Sequence, residues 1–325
     1  MAGSVLTFKE IRDEVLNWLD EAGATGTSLT NVNNAINEAH RRRLTAEPWP
    51  FMIWDTAETF TLTAADQLYT LHHLFHRSFY FFNRTKKDYL KEVSAKYLSP
   101  SGARWNTDSD GNKYVLWGRT PVSEQPASAS TVSIVSTSAL DNTAARAITI
   151  RGLTSSGLES ETITPTGTTT AAGAKSFTKI LGVTKGATWV GTLTVTAGAT
   201  TLLTLLSTEM GRSHQLLFLL GSPTTADTIE YRFYRLPSRL VDDNDITDIP
   251  PGHEQILVWD SLLAMGAYDN RLDGGRLEEW RKRQTDADQA FRAAFSEIQG
   301  VDAHSRYVID NDASPSGDNP VIWLS

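Results

Sequence analysis

An α+β protein is predicted by three features of this 325-residue sequence. Helical periodicity marks both ends of the chain, and short alternating apolar runs mark strands between them. Over residues 121–211 the composition turns sharply to Thr, Ser, Ala and Gly. Together these describe a helical core carrying a small β-sheet, with an all-β sandwich inserted between two of its strands. Residues 1–120 and 212–299 are the expected halves of the core, 121–211 the insert, and 300–325 an extended C-terminal arm.

Phe8, Ile11, Val15, Trp18 and Leu19 fall on one stripe of a first helix over 7–20, which Gly23 and Gly26 end. Ser28 or Thr30 is the expected cap of a second helix, with Val32, Ile36 and Ala39 on its apolar face. Arg41, Arg42 and Arg43 follow, late in the helix where the dipole favours cations. They read as helix termination and solubility, or as a contact patch for an acidic partner surface or nucleic acid. Pro50 closes this unit, and Trp49 and Phe51 beside it read as packing anchors between helix and sheet rather than a ligand platform. Thr59, Thr61 and Thr63 alternate with Phe60 and Leu62 as in a half-buried strand. Tyr69 and Leu71 begin the next strand, and Asp110-Gly111 marks a hairpin turn leading to Tyr114, Leu116 and Trp117.

The insert reads as six or seven short strands with a Val, Ile and Leu core and no Cys staple. After it, 214–237 holds two strands, and a polar turn ending Pro250-Pro251 leads to a helix over about 252–269. Apolar residues cover more than one face of that helix, so it is expected to be central, with Trp259 inside it. A third long helix, 276–298, repeats Leu277, Trp280, Ala287, Phe291, Ala294 and Ile298 at helical spacing. Glu278 with Lys282 and Glu279 with Arg283 are its expected i,i+4 pairs. Trp259 and Trp280 join Trp49 and Phe51 as expected helix–sheet anchors. The arm is polar and rich in Asp, Ser and Pro, yet ends in Val321, Ile322, Trp323 and Leu324. Four apolar residues at such an end point to docking on a partner or neighbouring subunit, or to folding back on the parent domain.

Apolar residues at 40% and charged residues at 21% fit a folded protein, and the absence of Cys excludes disulfides, thiolate catalysis and Cys-ligated zinc. No run reaches the roughly 18–20 apolar residues of a membrane span, and the N-terminus carries no evident export signal. A net charge of −8 argues against a general nucleic-acid binder. Phosphate-loop, dinucleotide and nucleophile-elbow motifs are absent. Asn106, Asp108, Asp110 and Gly111 match part of a calcium loop, but position 12 is Trp117, so a hairpin turn is expected. His72, His73 and His76 offer at most an i,i+4 pair without a third ligand. Asp242, Asp243, Asp245 and Asp248 read as an Asx-rich turn before a helix. No catalytic residue, metal or cofactor is expected.

The order of these features resembles the head-to-tail connector (adaptor or neck) proteins of tailed bacteriophages. The likeness rests on Ile36–Ala39 (INEA), Trp49–Phe51 (WPF), the Tyr-rich strand Tyr231–Pro237, the acidic loop Asp242–Asp248 and Ile249-Pro250 ahead of a helix. It covers roughly residues 7–118 and 213–298. The compact form of that family lacks a domain here, and the extra ninety or so residues look like the Ig-like modules found on phage virion proteins.

The resemblance implies a structural virion protein at the phage neck, assembled in the host cytoplasm. It implies a ring, commonly of twelve subunits, with the portal above and the tail or next neck protein below. DNA would pass through its channel without sequence-specific binding, the insert would decorate the neck, contact capsid or fibres, or grip the host surface weakly, and no membrane is involved. Residues 300–325, anchored by Val321 to Leu324, would match the segment that docks on the portal. A tail-tube, terminator or baseplate protein is one alternative. A carbohydrate-binding virion protein acting through the insert is another, although Trp189 and Phe177 are the insert's only aromatics.

Overall fold

The computed structural model describes residues 5–21, 23–64, 66–93, 112–221, 223–266 and 274–302, with side chains in the last helix through Phe295. Asp110-Gly111, the calcium-like loop and the apolar end Val321 to Leu324 lie outside the described residues. Among the described residues the fold is mixed α+β, with four α-helices and four small sheets. Two compact units divide the chain: Met1–Ile53 with Tyr234–Ser325, and Trp54–Phe233. The expected core strands at 58–120 and 214–233 therefore group with the insert rather than with the helices.

All four helices belong to the first unit. Helix α1 (Phe8–Trp18) starts with a capping box. The Thr7 hydroxyl accepts the Glu10 N–H at 3.3 Å while the Glu10 carboxylate accepts the Thr7 N–H at 2.7 Å. Helix α2 (Thr27–Ala46) starts instead at Gly26, whose φ of +64° suits a residue without Cβ. Ser28 and Thr30, the expected caps, lie already inside its first turn. There Ser28 donates to the Glu21 carboxylate and Thr30 donates back to the Gly26 carbonyl oxygen. Helix α3 (Gln255–Gly266) buries Ile256, Leu257, Val258, Trp259 and Leu262, covering more than one face as its sequence predicts. Helix α4 (Gly274–Asp302) faces the core with Trp280, Phe291 and Phe295, while Ala294 is exposed. The four-residue step from Phe291 carries the stripe to Phe295. Glu279 pairs with Arg283 as expected, but Glu278 pairs with Arg281 at i,i+3 instead of Lys282.

The second unit holds the sheets. Strands β1 (Glu58–Thr61), β3 (Phe75–Asn83), β4 (Asp88–Tyr89) and β15 (Thr228–Arg235) form one sheet in the order β1-β15-β3-β4. Strands β2 (Leu68–Thr70), β5 (Lys91–Glu92), β6 (Lys113–Thr120) and β14 (His214–Leu220) form a second, β2-β14-β6-β5. Their inward residues make one aromatic-rich core that includes Tyr69, Phe75, Phe81, Tyr114, Tyr231 and Phe233. The Tyr69 hydroxyl closes the β1–β2 turn, accepting the Thr63 N–H at 3.0 Å and donating to the Asp66 carbonyl oxygen at 2.9 Å.

Between β6 and β14, which pair antiparallel, run seven further strands. These are β7 (Ser130–Ser136), β8 (Ile148–Thr154), β9 (Gly157–Ile163), β10 (Ala171–Phe177), β11 (Lys179–Lys185), β12 (Leu193–Ala197) and β13 (Thr200–Leu205). They form a four-stranded sheet, β10-β7-β12-β13, and a three-stranded sheet, β11-β8-β9. The alternating Val, Ile and Leu residues of both share one core. Asp141 does what a disulfide does elsewhere. Its buried carboxylate accepts the Ser136 hydroxyl at 2.6 Å and the Val190 and Gly191 N–H groups at 2.9 Å each, tying the loop after β7 to the loop before β12.

Candidate assembly surface

Arg41, Arg42 and Arg43 do not act together. Arg41 and Arg42 are exposed, and both pair with Glu38 one turn back. Arg43 points inward, with its side chain only 11% exposed. It makes two hydrogen bonds to the Asp260 carboxylate, at 3.0 and 2.9 Å, and a third to Asp288. Gln284 also donates to Asp260, while Arg292 bridges Asp288 and Glu47. This network ties α2, α3 and α4. Burial raises the Asp260 pKa, against the pull of Arg43. The patch is thus reduced to Arg41 and Arg42. The signal for Arg43 was available in its position seven residues after Ile36, on the buried stripe.

The four expected helix–sheet anchors also change partners. Trp49, Phe51, Trp259 and Trp280 all belong to the helical core, so they lock helix to helix. Trp49 lies 4.7 Å from the Phe291 ring and 6.1 Å from Phe51, and its indole N–H donates to the Arg43 carbonyl oxygen at 3.0 Å. Trp259 meets Trp18 edge-on, and the Arg283 guanidinium lies over both rings at 5.2 and 5.0 Å. Among the described residues this unit holds no complete sheet, so the anchors pack on helices and on the 3-10 turn.

The acidic loop spends its carboxylates on its own fold. Asp245 accepts the Val241 and Asp242 N–H groups, Asp243 pairs with Arg12, and Asp248 takes Arg235 and the Ser238 N–H. Carbonyls of Asp243 and Asp245 accept the first N–H groups of α1. A cleft of about 250 Å³ beside this loop is lined by Asn34, Asn37, Glu38, Arg41, Pro237 and Arg239, with His40 at its floor. Asn37 clamps Leu240 by both its N–H and its carbonyl oxygen, at 2.8 and 2.9 Å. His40 Nε2 accepts the Asp248 N–H at 3.2 Å, which requires an unprotonated nitrogen.

Burial depresses the His40 pKa below the usual imidazole value of 6.5, although Asp248 opposes this. The folded state therefore binds fewer protons here than the unfolded chain. This stabilisation is fully present above pH 6.5 and is lost as pH falls toward the depressed folded value. Denaturant melts of the wild type and His40→Gln should converge as pH falls below that point, and a constant difference between them would refute the assignment.

His72, His73 and His76 do not share a helix face, because the chain turns at 72–74 and enters β3 at Phe75. Among the described residues no group of three or more His, Cys, Asp or Glu is placed to hold a metal ion. No described helix is long and apolar enough to cross a membrane.

The fold and its surfaces define a protein built for packing and assembly. The chain matches the family of SU10 adaptor proteins over residues 6–311, most of its length, and belongs to that family. It is a structural, non-catalytic phage protein of the head-to-tail connector class, a class that implies oligomeric assembly with portal and tail. No curated protein matches the chain.

Proposed function

We propose that the chain forms a ring at the phage neck, of twelve subunits as in the usual connector form, joining the portal above to the tail or next neck protein below. The family match running through both flanks of the insert carries this reading. In the ring, DNA passes through a channel without sequence-specific binding, in keeping with a net charge of −8. Arg41 and Arg42 offer an exposed contact for an acidic neighbour. Residues 300–325 act as an arm that orders on the portal or a neighbouring subunit, with Val321, Ile322, Trp323 and Leu324 as anchors. Residues 121–211 form an Ig-like sandwich that projects from the ring toward capsid or fibres. Their exit and return through the paired strands β6 and β14 support a modular insertion, since that pair closes without them.

The glycan-binding alternative needs aromatics on an open sandwich face, whereas Trp189 and Phe177 are both buried. Native mass and symmetry measured with and without the portal ring test the proposal. The full chain should co-assemble with the portal as a ring, and a chain ending at residue 300 should lose that co-assembly. A persistent monomer that ignores the portal would overturn the proposal, and a truncated chain that still co-assembles would remove the arm from it.

A further inference from the structure

Strands β7–β13 are carried by two crossings, which leave β6 at Thr120 and return at His214. These two residues face each other in the β6–β14 register. A cluster of imidazoles lies at the return. His72 and His73 occupy the turn between β2 and β3 with ring centroids 4.4 Å apart, and His214 stands edge-on to His73 at 6.0 Å. His72 Nδ1 accepts the Leu74 N–H at 3.2 Å, and its ring rests between Trp54 at 5.1 Å and Phe233 at 5.5 Å. His214 Nδ1 lies 3.1 Å from the Leu71 carbonyl oxygen, so it is the protonated nitrogen of that ring. Its Nε2 is buried without a hydrogen-bond partner among the described residues.

His72 and His214 are thus held in their neutral forms by geometry. A second proton on His72 would cancel its bond from Leu74, and one on His214 would place a donor where no acceptor stands. Arg212, on the segment that returns from β13, adds positive potential to all three, while Glu58 acts on His72 from β1. Glu209 pulls the other way on His73 and His214, but it is already engaged. It pairs with Arg212 at 2.5 Å and accepts the N–H of Leu206, the residue after β13, at 2.7 Å. The Glu209–Arg212 pair therefore stitches the end of β13 to the histidine cluster.

We infer that His72, His73 and His214 form an acid-operated joint at the root of β7–β13. Protons taken from solvent would place up to three positive charges beside Arg212, and opening the return segment relieves both that repulsion and the lost hydrogen bonds. Burial first, then Arg212 and the neighbouring imidazoles, push His73 down to about 4 from 6.5, so the closed joint is favoured above 6.5 and yields as pH falls toward 4. The inference stands independently of the ring assembly proposed above.

The chain has no cysteine, so two introduced thiols label cleanly. Spin labels at Ala64→Cys and Ser155→Cys, both exposed positions of the same unit, report the distance across the joint in the full chain. One narrow distance distribution is expected at about pH 7.5, and a displaced or broadened one at about pH 4. The change should vanish in a chain carrying His72→Gln, His73→Gln and His214→Gln. Arg212→Gln keeps every histidine and should move the midpoint upward by about one pH unit. An identical distribution at both pH values, a change that survives in the triple variant, or an unmoved midpoint in Arg212→Gln would overturn the joint.

Discussion

Arg43→Ala should destabilise the helical unit by about 3–5 kcal/mol, because it leaves the largely buried Asp260 without its counter-ion beside Asp288, which keeps Arg292. Asp260 is the more exposed to this loss. Burial already raises its pKa and Arg43 is the leading opposing influence, so the variant should push it higher still. The deficit should therefore shrink as acid protonates Asp260, which a denaturant series at falling pH would show. Arg43→Lys keeps the charge but loses the fork that makes two bonds to Asp260, and it should fall between wild type and Ala. If Arg43→Ala melts like the wild type, the network contributes nothing to stability.

Trp49→Ala should cost a similar amount, about 3–5 kcal/mol, for a different reason. Trp49 is only 1% exposed, stacks on Phe51 and meets Phe291 and Phe295 edge-on, so its removal opens a cavity between the 3-10 turn Pro50–Met52 and α4. Trp49→Phe keeps a ring in the site and should lose much less. The two sites also share a link, since the Trp49 indole N–H bonds the Arg43 carbonyl oxygen. The double Ala variant should consequently depart from the sum of the single losses by about 0.5 kcal/mol or more. Strict additivity would show that ring packing and ion pairing act separately. A change in ring assembly would accompany both variants under the proposed function, because α4 leads directly into the arm.

Element order is legible in the sequence, because period is a local property. Phe8, Ile11 and Val15 repeat at helical spacing, Ile229, Tyr231 and Phe233 alternate, and each pattern reports a neighbour a few residues away. Six or seven alternating runs between 121 and 211 likewise read as strands, of which seven form, and the order of INEA, WPF, Tyr-rich strand and acidic loop points to the connector class. Helix starts were less secure. Gly26 rather than Ser28 or Thr30 precedes α2, since the turn of the backbone there, and not a capping side chain, decides where the helix begins.

Partners were not legible. The Ile36 stripe turns Arg43 inward, but its partners Asp260 and Asp288 lie more than two hundred residues away and leave no local trace beside it. Trp49 announces an anchor without naming Phe291 as what it anchors, and Asp141 gives no local hint that it replaces a disulfide. His214 is a lone histidine in the sequence, and only the pairing of β14 with β2 brings it to His73. Periodicity thus determines which face of an element is apolar. Which charge meets which, and which ring meets which, depends on contacts between distant segments, and those come into being only when the core closes.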